Sequence, residues 1–440
     1  MKKTAVVFWS GTGNTESMAN AVLEGMKAAG AEAELFTSEQ ADAAKLALFD
    51  AIAFGCPAMG AEELEETEFA PMFDAVKGSL SGKDAALFGS YGWGDGEWMR
   101  TWEDDCRANG MKLVCDSGVK LYLQTPIADV CKDGDRVTGV TVVTQDGLVT
   151  LNAKCVVDST GDGFVAYRAG AEYHVGRESD GRCQPLSTEF TLENVDEARA
   201  ITCWGGSDPV TMPDGKKFSV FCREAHDRGE LPENVTIVRL HRTFYPGERN
   251  VNATQVNGLD SLHAEGITDA ELKLRGQIPQ IVAFLRKYVP GYENCRVKSS
   301  GSTLGVRETR RIQGLYTISD EDVEKGARFA DVVVHRAWFL IDIHNPAGGG
   351  QAEGHSQPAT PYDIPLRSLV PAGLDGLLLS GRCISGTHRA HASYRVMAVC
   401  LATGQAAGIA AALCAKEGIQ PKDLPAGEVQ QVLTAYGAQL

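Results

Sequence analysis

Short apolar runs alternate with stretches of helical period from the start of the chain. Ala5-Val6-Val7-Phe8-Trp9, Ala51 to Phe54 and Ala85 to Phe88 are unbroken apolar segments bounded by glycine-containing loops. That pattern predicts strands buried on both faces. Helical stretches are expected at 16–29 and 97–109, so the first quarter reads as an α/β, doubly wound parallel sheet. After residue 117 the pattern changes. Gly118 to Leu123 reads as a strand, and Val137–Val143 and Leu148–Leu151 read as a hairpin closed by Gln145-Asp146-Gly147. The strand-like Lys154 to Val157 ends in the polar corner Asp158-Ser159-Thr160-Gly161-Asp162-Gly163, and Gly376 to Gly386 repeats that plan. The longest apolar stretch, Val396 to Ala415, is rich in Ala and Gly and reads as a helix packed tightly against a sheet.

Three loops carry candidate chemistry, each following one of the first apolar strands. The first is Ser10-Gly11-Thr12-Gly13-Asn14-Thr15. Its glycines let backbone N–H groups close on a ligand, its hydroxyls add donors, and the helix behind it contributes a positive end. It contains no Lys or Arg, and its spacing matches neither the Walker nor the dinucleotide pattern. A phosphate monoester held by neutral donors points to FMN. The second loop contains Pro57, Ala58, Met59, Gly60 and Glu62; the third contains Ser90, Tyr91, Gly92 and Trp93. Parallel strands place such loops on one rim, where a planar ring can lie between Met59 and Trp93.

On these loops the chain resembles the short-chain flavodoxins, from the N-terminus to about residue 115. The resemblance implies that Ser10, Thr12, Asn14 and Thr15 hold the FMN phosphate and that Trp93 stacks on the isoalloxazine. It implies further that the Met59-Gly60-Ala61-Glu62 turn reorients a peptide toward flavin N5 on reduction, with Gly60 as pivot, and that Glu62 accepts from N3.

From about 118 to about 420 the chain resembles FAD-dependent oxidoreductases of the glutathione-reductase structural type. The matching stretches include Asp158-Ser159-Thr160-Gly161-Asp162, Gly305-Val306-Arg307-Glu308-Thr309-Arg310-Arg311, Ile341-Asp342-Ile343-His344, Gly381-Arg382-Cys383-Ile384-Ser385 and Gly404-Gln405-Ala406-Ala407-Gly408. The resemblance implies that Thr160, Gly161 and Asp162 lie along FAD, that Gly381 and Arg382 line its ribityl or pyrophosphate, and that the helix after Arg395 points its positive end at the flavin. Such proteins open with a strand and Gly-x-Gly-x-x-Gly; this chain has the flavodoxin-like segment in that place. The expected organisation is a flavodoxin-like FMN-binding domain over 1–117 and a truncated, Rossmann-like FAD-binding domain from 118–175 and 365–440. A substrate domain over 176–364 is inserted between its two pieces.

Charge adds a partner argument. The 440 residues carry a net charge of −16. Residues 1–117 hold nine Lys and Arg against twenty Asp and Glu, a net −11, and the remainder holds −5. The acidic cluster Glu62, Glu63, Glu65, Glu66 and Glu68 disfavours nucleic acid and anionic membrane, and suits either a basic redox partner or plain solvation. Twelve cysteines without a Cys-x-x-Cys read as free thiols in a reducing, cytoplasmic setting, with no metal site expected.

For chemistry on a substrate, Arg307 and Arg310 stand with Arg311 at spacings that place two of them on one helix face, suited to clamping a carboxylate or to pairing with Glu308. His344 is a candidate proton donor or a structural histidine. Arg395, His391 and Cys383 carry the same two readings. The expected function is a flavin-dependent oxidoreductase in which an FMN module exchanges electrons with an FAD-type domain, a ferredoxin-like protein and an unidentified small molecule. The alternative is a flavodoxin-type carrier attached to a non-catalytic remnant.

Overall fold

The computed structural model describes the whole chain except residues 1, 12, 29, 60–62, 90–96, 114–118 and 351–355. The chain forms two compact units, residues 1–124 with 434–438, and residues 125–433 with 439–440.

The first unit alternates strand and helix: β1 (Lys3–Phe8), α1 (Asn14–Ala28), β2 (Glu32–Thr37), α2 (Ala43–Leu46), β3 (Ala51–Gly55), α3 (Phe69–Lys77), β4 (Asp84–Phe88), α4 (Glu97–Ala108) and β5 (Lys112–Leu113). The strands form one parallel sheet in the order β2-β1-β3-β4-β5. Its two faces explain the unbroken apolar runs. Ala5 and Val7 enter a core with Phe54, Phe69, Phe73 and Trp102, whereas Val6 and Phe8 pack with Ala19 and Ala53 on the other side. Phe69 and Phe73 each meet Trp102 edge-on, at centroid distances of 5.3 and 5.7 Å. Glu65 fastens the start of α3: its buried carboxylate accepts from the N–H groups of Thr67, Glu68 and Phe69, each at 2.8 Å.

The second unit opens with an antiparallel meander, β6 (Ile127–Asp133), β7 (Arg136–Thr144) and β8 (Gly147–Asn152), followed by β9 (Val156–Asp158), α5 (Phe164–Ala169) and β10 (Tyr173–Val175). Next come β11 (Phe190–Glu193), α6 (Phe218–Asp227), β12 (Arg239–Arg242), β13 (Arg249–Asn252), α7 (Ala264–Tyr288) and β14 (Arg296–Ser300). The sheet β12-β13-β11-β14 packs against α6 and α7 through a core that includes Phe190, Phe218, Leu240, Val251, Ile281 and Phe284. The chain continues through β15 (Arg310–Ile312), α8 (Asp320–Lys325), β16 (Val332–Ala337), β17 (Tyr362–Pro365), β18 (Leu377–Leu379), α9 (His388–Tyr394), α10 (Met397–Glu417) and α11 (Ala426–Ala435). Strands β9 and β18, whose paired residues are 221 positions apart, pair in parallel from Leu377↔Val156 to Leu379↔Asp158. This sets the two polar corners foreseen in the sequence side by side.

Two expectations are corrected. Residues 119–123 form no strand, and Val119, Leu121 and Leu123 are exposed. The arginine segment is not helical: Arg310–Ile312 is a strand paired antiparallel with β10. Helix α10 packs against β9, β16 and β18, in keeping with a helix laid on a sheet, and is buried on that side through Val399, Thr403, Ala406, Ala407, Ala410 and Cys414, while Met397 and Leu401 are 83% and 76% exposed. By length and composition alone that helix could cross a membrane.

Candidate functional site

Parallel register builds the first site. Phe8 is level with Gly55, and Gly55 with Phe88, so the loops after β1, β3 and β4 leave the sheet on one rim. The sheet order reverses between β1 and β3, where open α/β sheets hold ligands. In the first loop the Gly13 N–H donates to Ser10 Oγ at 3.0 Å, Gly13 has φ +88° with open space on its Cβ side, and α1 begins at Asn14. Gly11 is exposed, Asn14 is half-buried and Thr15 is buried. The donors at this helix start are hydroxyls, an amide and N–H groups without a cation, which fits a phosphate monoester. In the second loop Pro57 and Ala58 are half-buried, and Met59 is 40% exposed and exchanges both backbone hydrogen bonds with Glu63, at 2.8 and 3.0 Å. Thr12, Gly60, Glu62, Ser90, Tyr91, Gly92 and Trp93 lie outside the described residues.

The second site lies where β9 and β18 end. Asp158, fully buried, accepts from Thr160 N at 3.0 Å, Thr160 Oγ1 at 2.7 Å and Ala166 N at 2.9 Å. The same Thr160 hydroxyl accepts from Phe164 N at 2.9 Å, so its side chain serves the corner itself. Gly161, at φ +76°, lies under the Arg382 guanidinium, which pairs with Asp162. Gly381 N donates to Thr403 Oγ1 at 3.0 Å. Around this corner several buried nitrogens lack partners among the described residues: Arg382 Nε, Arg395 Nε and both ring nitrogens of His391. Burial, with Arg395 and Arg311 close by, holds His391 well below the usual histidine range. A buried group of cations and unpaired nitrogens fits an electron-rich cofactor able to accept hydrogen bonds. Cys383 is not activated: burial raises its thiol pKa.

The candidate catalytic residues separate. His344 sits with Asp342, Nε2 to Oδ2 at 3.3 Å, and its backbone N–H donates to Gln184 Oε1 at 3.1 Å. Arg395 donates to the Asp342 carbonyl at 3.1 Å, and Ser356 Oγ to the Asp342 carboxylate at 3.1 Å. Burial, reinforced by the positive charge of Arg307, brings His344 down to about 4 although Asp342 opposes the shift. Arg307 is itself held down to about 9 by burial, then by Arg395 and Arg239; it donates to Pro185 O at 2.8 Å and Ser187 Oγ at 2.9 Å. His344 and Arg307 therefore share one environment. Arg310 belongs elsewhere: it stacks over Tyr167 at 4.0 Å, donates to Asp162 O at 3.3 Å and lines a cavity of about 500 Å³ with Thr160 and Asp162. The acid beside these arginines, Glu308, pairs with Arg311.

His344 and Asp342 also line a larger cavity, of about 650 Å³, with Arg239, His241 and Trp204. Sequence reasoning missed these last three. The signal was the alternation Val238-Arg239-Leu240-His241, which buries Val238 and Leu240 and turns Arg239 and His241 to the opposite face.

Comparison with known proteins bears on both units. A family model described as FAD dependent oxidoreductase matches residues 89–433, and one described as flavodoxin matches 6–136. Flavodoxin from Megasphaera elsdenii is 47% identical over 109 residues, 25% of this chain and 80% of that protein. Flavodoxin from Clostridium beijerinckii is 46% identical over 109 residues, 25% of this chain and 78% of that protein. Among solved structures, two-electron reduced Megasphaera elsdenii flavodoxin matches at 46% identity and TM-score 0.25, covering 25% of this chain and 80% of its own.

Proposed function

This chain belongs to the FAD dependent oxidoreductase family and carries a flavodoxin domain at its N-terminus, and from that premise we propose that electrons pass singly between a protein donor and the FMN module and are then used in pairs at the FAD domain. It is a flavin-dependent oxidoreductase with an electron-transfer module, and its cofactors are FMN and FAD. FMN supplies one-electron chemistry and FAD two-electron chemistry; the chain's own residues bind, orient and shield them.

The observation that carries the FMN half is the rim made by the loops after β1 and β3, with Ser10, Gly11, Gly13, Asn14 and Thr15 at the start of α1 and Pro57, Ala58 and Met59 beside it. For the FAD half, Gly161, Asp162, Gly381 and Arg382 would border the cofactor, and the Nε–H groups of Arg382 and Arg395 with the single ring N–H of neutral His391 would donate to it. Thr160 would act by holding the corner's shape. His344 would act as a neutral hydrogen-bonding group at pH 7, set by Asp342. The domain of the glutathione-reductase type would span 118–175 and 365–440, with 176–364 as the substrate domain and without the Gly-x-Gly-x-x-Gly unit. A ferredoxin-like donor fits the acidic first domain if its docking face is basic.

Acid release of the flavins from the purified protein, separated and counted, tests this reading. One FMN and one FAD per chain are expected. A dithionite titration should then reduce both. FMN alone, even after incubation with FAD, would leave only a carrier attached to an inactive body.

A further inference from the structure

The larger cavity of the second unit contains a charge that its own walls do not neutralise. Arg239 lines it from β12, and among the described residues its guanidinium has no hydrogen-bond or ion-pair partner. Burial lowers its pKa, with only partial opposition from Asp342. Arg223, on α6 at the cavity edge, is likewise without a partner among the described residues. The two acids in the wall are already engaged. Asp342 is held by His344, Arg395 and Ser356, and Asp208 accepts the backbone N–H of Trp204. A half-buried guanidinium with no partner among the described residues is a ready site for an anion.

The same wall offers a flat surface. The Trp204 indole and His241 imidazole stack at 4.7 Å with 21° between their planes, and Trp204 is 70% exposed. His241 Nε2 is buried and has no partner among the described residues. A volume of about 650 Å³ admits a molecule of ordinary metabolite size rather than a bare ion.

We propose that this cavity is the substrate site of the second unit and takes a planar, unsaturated carboxylate, with Arg239 gripping the carboxylate and the Trp204–His241 stack bearing the flat part. A guanidinium matches a carboxylate with two parallel hydrogen bonds, and an aromatic face suits a conjugated system. This assignment rests on the second unit being a redox domain, yet binding is measurable without turnover.

trans-Cinnamate is the probe, cinnamamide its neutral counterpart, and inorganic phosphate the control for a site that takes any anion. Each is titrated into the full-length holoprotein by calorimetry and by quenching of tryptophan fluorescence. Cinnamate is expected to bind saturably, cinnamamide and phosphate at least about tenfold more weakly, since a hydrogen bond to a charged group is worth roughly that factor or more. Arg239→Met should weaken cinnamate by a similar factor and Arg239→Lys should restore part of it. Trp204→Phe should remove most of the fluorescence change. Equal binding of cinnamate and cinnamamide by the unaltered protein, stronger binding of phosphate, or no binding of cinnamate overturns the assignment, and none of these needs a variant to fold. If both flavins are present and reducible but cinnamate does not bind, only this inference fails. If cinnamate binds with the expected preference and no FAD is found, the redox reading fails and the carboxylate site stands.

Discussion

The Arg382 guanidinium lies directly against the α-carbon of Gly161; a Cβ placed on that glycine would come within 2.7 Å of Arg382 Cζ. The pair joins the ends of β9 and β18, two segments far apart in sequence, and Asp162 completes it by binding the same guanidinium. Closing this corner depends on a residue with no side chain at φ +76°.

Gly161→Ala should therefore act twice. Alanine at this φ costs about 1 kcal/mol, and displacing Arg382 from Asp162 adds a comparable amount. Urea unfolding of the second unit should shift by about 2 kcal/mol, and the FAD released per chain should fall while FMN stays unchanged. Full FAD content with unaltered unfolding would show that the corner tolerates a side chain and that its closure is unimportant.

Glu308 sits at the centre of a buried network. It pairs with Arg311, accepts from Gln184 N at 3.0 Å and lies 2.8 Å from His388 Nδ1. Arg311 in turn donates to Gly386 O at 2.9 Å and Gly176 O at 2.8 Å. Glu308→Ala leaves the buried Arg311 with only the exposed Glu178 carboxylate at 3.7 Å and should destabilise the second unit by about 3 kcal/mol. Glu308→Met with Arg311→Met should cost clearly less than Glu308→Ala alone. Denaturant unfolding of both variants checks this; equal losses would assign the effect to packing rather than to charge.

Glu65 ties the acidic second loop to α3. Burial raises its pKa, but hydrogen bonds from Thr67 and from the N–H groups of Phe69 and Glu68 outweigh that and leave it below the usual glutamate range. A carboxyl whose folded pKa is depressed stabilises the fold above its unfolded pKa, and the contribution fades as pH falls through the folded value. Glu65→Ala should cost about 1–2 kcal/mol at pH 7, as loss of a capping group does, and much less in acid. FMN fluorescence, which rises on release, reports this locally. A cost that is the same at pH 7 and pH 3 would mean that the charge of Glu65 is irrelevant.

Where the fold was legible in the sequence, local pattern and tertiary context agreed. Val6 and Val7 face opposite sides of one sheet and both meet apolar cores, so the run around them reads correctly as a strand buried on both faces. The hairpin 136–152 was legible for the same reason, since Asp146-Gly147 sets its turn. The arginine segment misled because three closely spaced arginines suit a helix face or a strand equally. The pairing of β15 with β10, some 137 residues earlier, decides between them. Residues 119–123 alternate like a strand yet no described strand pairs with them. Arg239 and His241 escaped notice because polar residues alternating on a strand usually mean a solvated face. Only the fold stacks Trp204 on His241 and brings His344 to the same cavity.

His344 links that cavity to acid stability. Burial and Arg307 bring its pKa down to about 4, whereas the unfolded chain titrates near 6.5. Between these values the unfolded state binds the extra proton, so stability rises with pH, and the contribution present at pH 7 is lost as pH falls from about 6.5 toward 4. Between pH 7 and pH 5 the loss from this one group is about 2 kcal/mol. His391, also held well below its usual range by burial, contributes in the same direction. His344→Gln keeps a hydrogen-bonding side chain beside Asp342 but cannot titrate. Its second unit should lose about 2 kcal/mol less than the unaltered protein when urea unfolding is compared at pH 7 and pH 5. Identical pH dependence in the two proteins would place the His344 pKa near its unfolded value and show that Asp342 outweighs burial and Arg307.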